Sequence, residues 1–293
     1  MAERGDPAAV RWLIGVELAG YRKLSGVSRP DAAKAVGVSS GMVGHFESGR
    51  YFPSPEQIAR LLETYGVPGD DVERLSTLAG RADSSSWLTR WADVIPDWAR
   101  TYIGLEGLAS HVIAYSPFVL HALVQTAEYS AGVTSPSARV RPDQQDRLVA
   151  LRMERQRRVL GGDRPPRFTA LVEESVLHRP IGGGLRFRTV MRDQLRHLLT
   201  LGEKDNVRIR VLPTSIGRHD GLEGRFTVLH FRDADGKPQG RSIGYVEIPD
   251  DAVYIQEEAQ VQKYTTSADL LCAAALSHAE SLDFVSARIA ALE

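Results

Sequence analysis

The chain of 293 residues carries a single cysteine, Cys272. One thiol excludes an internal disulfide and any cysteine-built metal cluster. No apolar run approaches the ~20 residues that a membrane-spanning helix needs. The opening stretch MAERGDPAAV has no signal-peptide apolar core, so a cytoplasmic protein is expected. There is no excess of charge either. Thirty-six lysines and arginines face 37 acidic residues, a formal net charge of −1, which excludes a chain that coats nucleic acid by bulk charge. No nucleophile motif, phosphate loop or metal-ligand spacing is present. No catalytic residue, metal or cofactor is therefore expected.

What charge there is lies unevenly. Between Gly20 and Arg50 stand Arg22, Lys23, Arg29, Lys34 and Arg50 against Asp31 and Glu47, a local net of +3. That suits a small phosphate-binding face, although an ordinary solvated face has the same composition.

Five short helices are expected in this region. Asp6 with Pro7 opens the first, which ends near Ser25-Gly26. The second follows Ser28 and runs to Val36, with Gly37 as the turn residue. Ser39 caps a third that reaches about Ser48. Ser54-Pro55-Glu56-Gln57 is a capping box for a fourth helix, ending at Tyr65-Gly66. A fifth covers roughly Asp70 to Ala82. The second and third helices, joined by one tight turn, have helix-turn-helix proportions. On the third, Met42, Val43 and Phe46 share the inner face, leaving Ser40, Gly41, Gly44, His45 and Ser48 outside.

That outer face is what would enter a major groove. It lacks the bidentate arginine or glutamine contacts that are each worth ~1–3 kcal/mol of base discrimination. The base-facing candidates are Ser40, Gly41, Gly44 and His45, with His45 the strongest reader. The phosphate candidates are Arg29 and Arg50, with Arg22, Lys23 and Lys34 weaker.

The stretch VSRPDAAKAVGVSSGMVGHFESGRYFPS, within residues 10–66, resembles the Xre-type, lambda-repressor-like helix-turn-helix. Ala33, Gly37, Val38, Ser39, Val43, Glu47, Gly49 and Pro53 carry the likeness. Arg29 stands where that family usually has glutamine, and Ala32 where it has leucine. The resemblance implies a DNA-binding domain at residues 1–82, built as an all-α bundle.

Asp83-Ser84-Ser85-Ser86 is a polar break and the expected linker. Beyond it, strands are expected at 111–115, 168–172, 207–212, 226–230, 243–248 and 252–255. Helices are expected at 142–160, 189–201 and in a long tail from about residue 257. This makes residues 83–293 an α+β domain with a mixed sheet and a long C-terminal helix.

The motifs YIGLEGLAS (102–110), LVQTAEY (123–129), RMERQRRVL (152–160), VEESVLHRPIGG (172–183), VRIRVLPTSIGRHDGLEGRFTVLHF (207–231) and YVEIPDDAVYI (245–255) resemble the second domain of large actinobacterial Xre regulators, the WhiJ-like, antitoxin-like group. His121-Ala122 departs from that group's Pro-Gly, and residues 184–188 resemble a short insertion. The resemblance implies a transcriptional regulator with a dimerisation and partner- or ligand-sensing domain, accompanied by a small acidic partner protein. A homodimer is expected because one helix-turn-helix reads only a half-site of double-stranded DNA. The alternative is an antitoxin-like protein-binding module whose sequence reading is weak or lost.

Three groups in the second domain need a reading of their own. Arg152, Arg155, Arg157 and Arg158 form a basic run that would touch DNA or an acidic partner, or else be a solvated helix face. Glu173, Glu174, His178, His219, Asp220 and His230 are acid–base residue types, but cap and loop roles account for them better, because no nucleophile, metal-spaced or phosphate-loop motif accompanies them. Arg218, His219 and Asp220, in the loop GRHDGLEG, are candidates to line a ligand or partner surface.

Overall fold

The computed structural model describes residues 6–79, 86–162, 164–232 and 238–292. The first five helices are α1 (Pro7–Ser25), α2 (Arg29–Val36), α3 (Ser40–Glu47), α4 (Pro55–Thr64) and α5 (Gly69–Ala79). Each of the first four starts at a local signal. Asp6 accepts the Ala8 amide at 2.9 Å, Ser28 that of Asp31 and Ser39 that of Met42. Ser54 and Gln57 form a reciprocal capping box. One such cap contributes about 1 kcal/mol. Gly37 ends α2 at φ 69°, the left-handed conformation that glycine adopts without a Cβ penalty. The expected linker lies outside the described residues as far as Ser85. Ser86 caps a 3-10 turn at Trp87–Trp91 and donates its hydroxyl to Asp6.

The remainder is α6 (Asp97–Leu108), β1 (His111–Ser116), α7 (Ala127–Thr134), α8 (Gln145–Leu160), β2 (Arg167–Glu173), α9 (Glu174–His178), α10 (Phe187–Gly202), β3 (Val207–Leu212), β4 (Phe226–Arg232), β5 (Pro238–Ile248), β6 (Asp251–Ile255), α11 (Glu258–Ala274) and α12 (His278–Ala290). The strands form one mixed sheet in the order β3-β2-β1-β4-β5-β6. β1, β2 and β3 are parallel, with Tyr115 beside Leu171 and Glu173 beside Leu212. β4, β5 and β6 continue antiparallel.

Alternation along the strands gives the sheet two apolar faces. Val112, Ala114, Phe168, Ala170, Ile209 and Val211 join the large core with the helices of the first half. Ile113, Tyr115, Leu171, Leu212, Phe226 and Val228 pack on Ala268 and Leu271 of α11. The C-terminal tail is two helices rather than one. Between them the Leu276 amide donates to the Val211 carbonyl, and Ser281 Oγ accepts the Val211 amide. The break lets the chain cover the β3 edge, which would otherwise be left unpaired.

α1 belongs to both halves. A Cβ on Gly15 would stand 2.5 Å from the Phe46 carbonyl oxygen, so only glycine lets α1 approach the end of α3 this closely. On its other side α1 meets α6, with Ala9 against Gly104, and Trp12 packs its ring on Tyr254 of β6 at 5.1 Å. Glu17 is buried on α1, accepts the Arg241 amide of β5 and lies 3.7 Å from Arg74. Burial pushes its carboxyl above the ordinary range, which Arg74 and the Arg241 amide partly offset.

The basic run of α8 corrects the sequence reading. Arg155 is buried and makes a two-pronged ion pair with Glu106 at 2.5 and 2.7 Å. Arg152 donates to Ser130 Oγ at 2.9 Å. Arg158 reaches Glu154 at 2.7 Å and stacks on Trp87. Of the four, Arg157 alone is well exposed. The run is neither a contact face nor a solvated one, because Glu106, Ser130 and Trp87 arrive from other elements to pair it.

Candidate nucleic-acid interface

α3 turns Val43 and Phe46 into the core, with Met42 half-buried beside them. Ser40 and Gly41 are exposed, while Gly44 and His45 are half-exposed. The two glycines are not demanded by packing. A Cβ on Gly41 would come no nearer than 3.8 Å to another atom, and one on Gly44 no nearer than 4.0 Å. Interior helical glycine costs about 1 kcal/mol relative to alanine. The fold carries that cost here with nothing in the chain that uses it.

The phosphate candidates divide. Arg22 is mostly buried, pairs with Glu47 and donates to the Val27 carbonyl at 3.1 Å. Its guanidinium ties α1 to α3 and is largely withdrawn from solvent. Arg29 binds the same Glu47 at 2.9 Å but stays half-exposed, with its guanidinium beside Gly44. Lys34 is exposed and stands 3.7 Å from Asp31. Lys23 and Arg50 are exposed and make no ion pair among the described residues. The sequence reading overlooked Tyr51. It is 54 % exposed, its ring meets His45 edge-on at 5.4 Å, and its amide donates to the His45 carbonyl. An aromatic residue in a polar loop directly after the helix was the available signal.

In the second half the structure gathers residues that the sequence scatters. Tyr115, Glu173 and the loop after β3 meet at the carboxyl ends of the parallel strands. The Tyr115 hydroxyl donates to Glu173 Oε1 at 2.7 Å, and His219 Nε2 lies 3.2 Å from the same oxygen. His219 Nδ1 accepts the Gly221 amide at 3.2 Å. The imidazole proton therefore sits on Nε2, and both nitrogens are occupied. Burial and the Glu173 carboxylate push the Tyr115 phenol far above its ordinary range, so it stays a donor. Arg218 and Asp220 are exposed and make no bond to this network among the described residues. Glu174 faces elsewhere. It accepts the Thr214 amide and hydroxyl, both at 2.8 Å, which hold its carboxyl below the ordinary range. His178 stands 3.8 Å from it. His230 is not part of either group. Its Nδ1 contacts Ser242 Oγ at 2.8 Å and its ring lies beside His111.

Two family models match the chain. Residues 13–75 match a helix-turn-helix domain. Residues 99–287, more than half the chain, match a domain of unknown function, DUF5753. The chain belongs to the DUF5753 family. Its match covers the strands and most of the helices of the mixed sheet, including the Tyr115–Glu173–His219 network. The helix-turn-helix match covers α2, α3, α4 and most of α1 and α5, and points to a DNA-binding regulator. No curated protein and no solved structure matches this DUF5753 chain. No helix among its described residues is long and apolar enough to cross a membrane.

Proposed function

We propose that the protein is a cytoplasmic, homodimeric transcriptional regulator that lays α3 in the major groove of double-stranded DNA. The observation that carries this reading is the outer face of α3. Gly41 and Gly44 have room for a side chain and carry none, on a helix whose match is a helix-turn-helix. A bare helix surface lets the duplex approach closely. His45, braced by Tyr51, and Ser40 are the base-facing side chains, while Lys23, Arg29, Lys34 and Arg50 lie around them for phosphates. With so little direct readout, half-site spacing and DNA shape supply the specificity. The DUF5753 region is the regulatory half, with no enzymatic activity of its own. It acts through dimerisation and through a ligand or a small acidic partner protein, as the resemblance to WhiJ-like regulators implies.

The lack of any bidentate base reader on α3 supports a second reading, an antitoxin-like protein-binding module. Fluorescence anisotropy on the DNA upstream of the protein's own gene separates the two. The regulator prefers that DNA to a scrambled duplex, loses the preference with His45→Ala, and weakens steeply with salt. Equal or absent binding on both duplexes sinks the first reading.

A further inference from the structure

Glu173 ends β2 between the ends of β1 and β3. In sheets with parallel strands, ligands gather at the carboxyl ends, where the loops open. Its side chain is 13 % exposed and that of His219 is 8 % exposed. Two donors, from Tyr115 and His219, converge on Oε1 and fix the carboxylate. The Gly221 amide donates to His219 Nδ1, so it is Nε2 that faces the carboxylate. No lysine or arginine reaches Glu173 within ion-pair distance among the described residues. The second oxygen, Oε2, has no partner there either and is not sealed from solvent. Among the described residues the buried Glu106 has Arg155, Glu47 has Arg22 and Arg29, and Glu17 has Arg74, while Asp6, without a cation, has one donor on each oxygen, from the Ala8 amide and the Ser86 hydroxyl. Burying a charge without a counter-charge is costly. Glu173 has neither a lysine or arginine nor a donor on its second oxygen among the described residues.

Two exposed apolar side chains follow the network along the chain, beside the charged Arg218, Asp220 and Glu223 of the same loop. Phe118 is 55 % exposed, three residues beyond Tyr115, and Leu222 is 65 % exposed, three residues beyond His219. Gly221 between them is tight on Tyr115: a Cβ there would stand 2.5 Å from the phenol ring. That contact locks the loop over the network. A few oriented polar groups within an apolar rim are the usual makings of a small-molecule site.

We propose that Glu173 Oε2 is the anchor of a binding site for a small organic ammonium ion carried on an apolar body. The ammonium supplies the missing counter-charge, and Phe118 and Leu222 cover the body. The assignment rests on the reading of the DUF5753 region as a sensing domain, but its test does not pass through DNA.

The probe is 2-phenylethylammonium, titrated into the full chain by calorimetry and followed by thermal melting. One ammonium binds per chain and raises the melting temperature. 2-Phenylethanol, the same body without charge, and magnesium chloride leave it unchanged. Glu173→Gln keeps an oxygen that accepts from Tyr115 and His219, so the variant folds with unchanged or higher melting temperature. Its affinity for the probe falls at least tenfold. Phe118→Ser weakens binding several-fold without lowering stability. The proposal is overturned if the probe gives no heat at millimolar concentration, if Glu173→Gln binds it equally, or if the alcohol or magnesium does the same. DNA anisotropy with and without the probe is read separately. Binding that leaves DNA affinity untouched upholds the site and counts against the sensing role.

Discussion

The helix-turn-helix carries its arginines sparsely and α8 densely, and the two sets end in opposite places. Arg29 and Arg50 lie at the solvent face of a small helical bundle, with Arg22 turned in to hold Glu47. On α8, Arg152, Arg155 and Arg158 are drawn into the interior by Ser130, Glu106 and Trp87. The same residue type is a surface charge in one region and a structural cross-link in the other. What differs is whether acceptors arrive from distant parts of the chain. In a short bundle few elements pass near a given side chain. Under a six-stranded sheet many do.

The comparison breaks most visibly at Arg155. Arg155→Ala leaves the Glu106 carboxylate buried without its cation, so it costs about 3–5 kcal/mol of unfolding free energy. Urea denaturation measures it, and a loss below 1 kcal/mol would mean that the pair is not formed.

Histidines sharpen the same contrast. Burial holds His111 and His121 down to about 4, while His45 is on the half-exposed α3 face. The unfolded chain therefore binds more protons than the native one between about pH 6.5 and 4, and stability falls as the pH drops through that window. Glu17, held above its ordinary range, works in the opposite sense and reduces the net effect. Melting temperatures across this range decrease on acidification, and His121→Gln flattens the slope provided that the variant stays folded. A profile unaffected by that variant would deny His121 its part.

Arg50→Ala is the surface counterpart of Arg155→Ala. Stability moves by no more than about 0.5 kcal/mol. DNA affinity drops several-fold on specific and scrambled duplexes alike, and the slope of log K against log salt shrinks by about 0.9 per protomer. An unchanged slope removes Arg50 from the phosphate contacts.

Gly44→Ala moves stability the other way. It stabilises the fold by up to about 1 kcal/mol, since nothing lies within 4 Å of the added methyl except the Arg29 guanidinium. The same variant weakens DNA binding if the bare helix face is what the duplex approaches. Full affinity in the stabilised variant would deprive the glycines of that role.

Helix starts were legible because their signals are local. Asp6, Ser28, Ser39 and Ser54 each cap within three residues of themselves. The strand Val207–Leu212 was legible for a similar reason, as its apolar alternation is complete within itself. The division of the C-terminal tail was not. Its cause, the β3 edge, lies more than sixty residues away. Nor was the network at the strand ends: Tyr115 and Glu173 are 58 positions apart, and only the parallel β1–β2 pairing brings them together. Tyr51 was missed because exposure and an edge-on ring contact leave no periodicity.

By itself the sequence determined where helices begin, which faces are apolar, and that a helix-turn-helix is followed by a mixed α+β unit. Each of these depends on residues within one or two turns or along one strand. The tertiary structure decided which charges are free. Arg50 stays at the surface, Arg155 is consumed by Glu106, and Glu173 meets no lysine or arginine among the described residues. The physical reason is that a charge is neutralised by whatever lies within about 4 Å, and that neighbourhood exists only after the sheet has assembled.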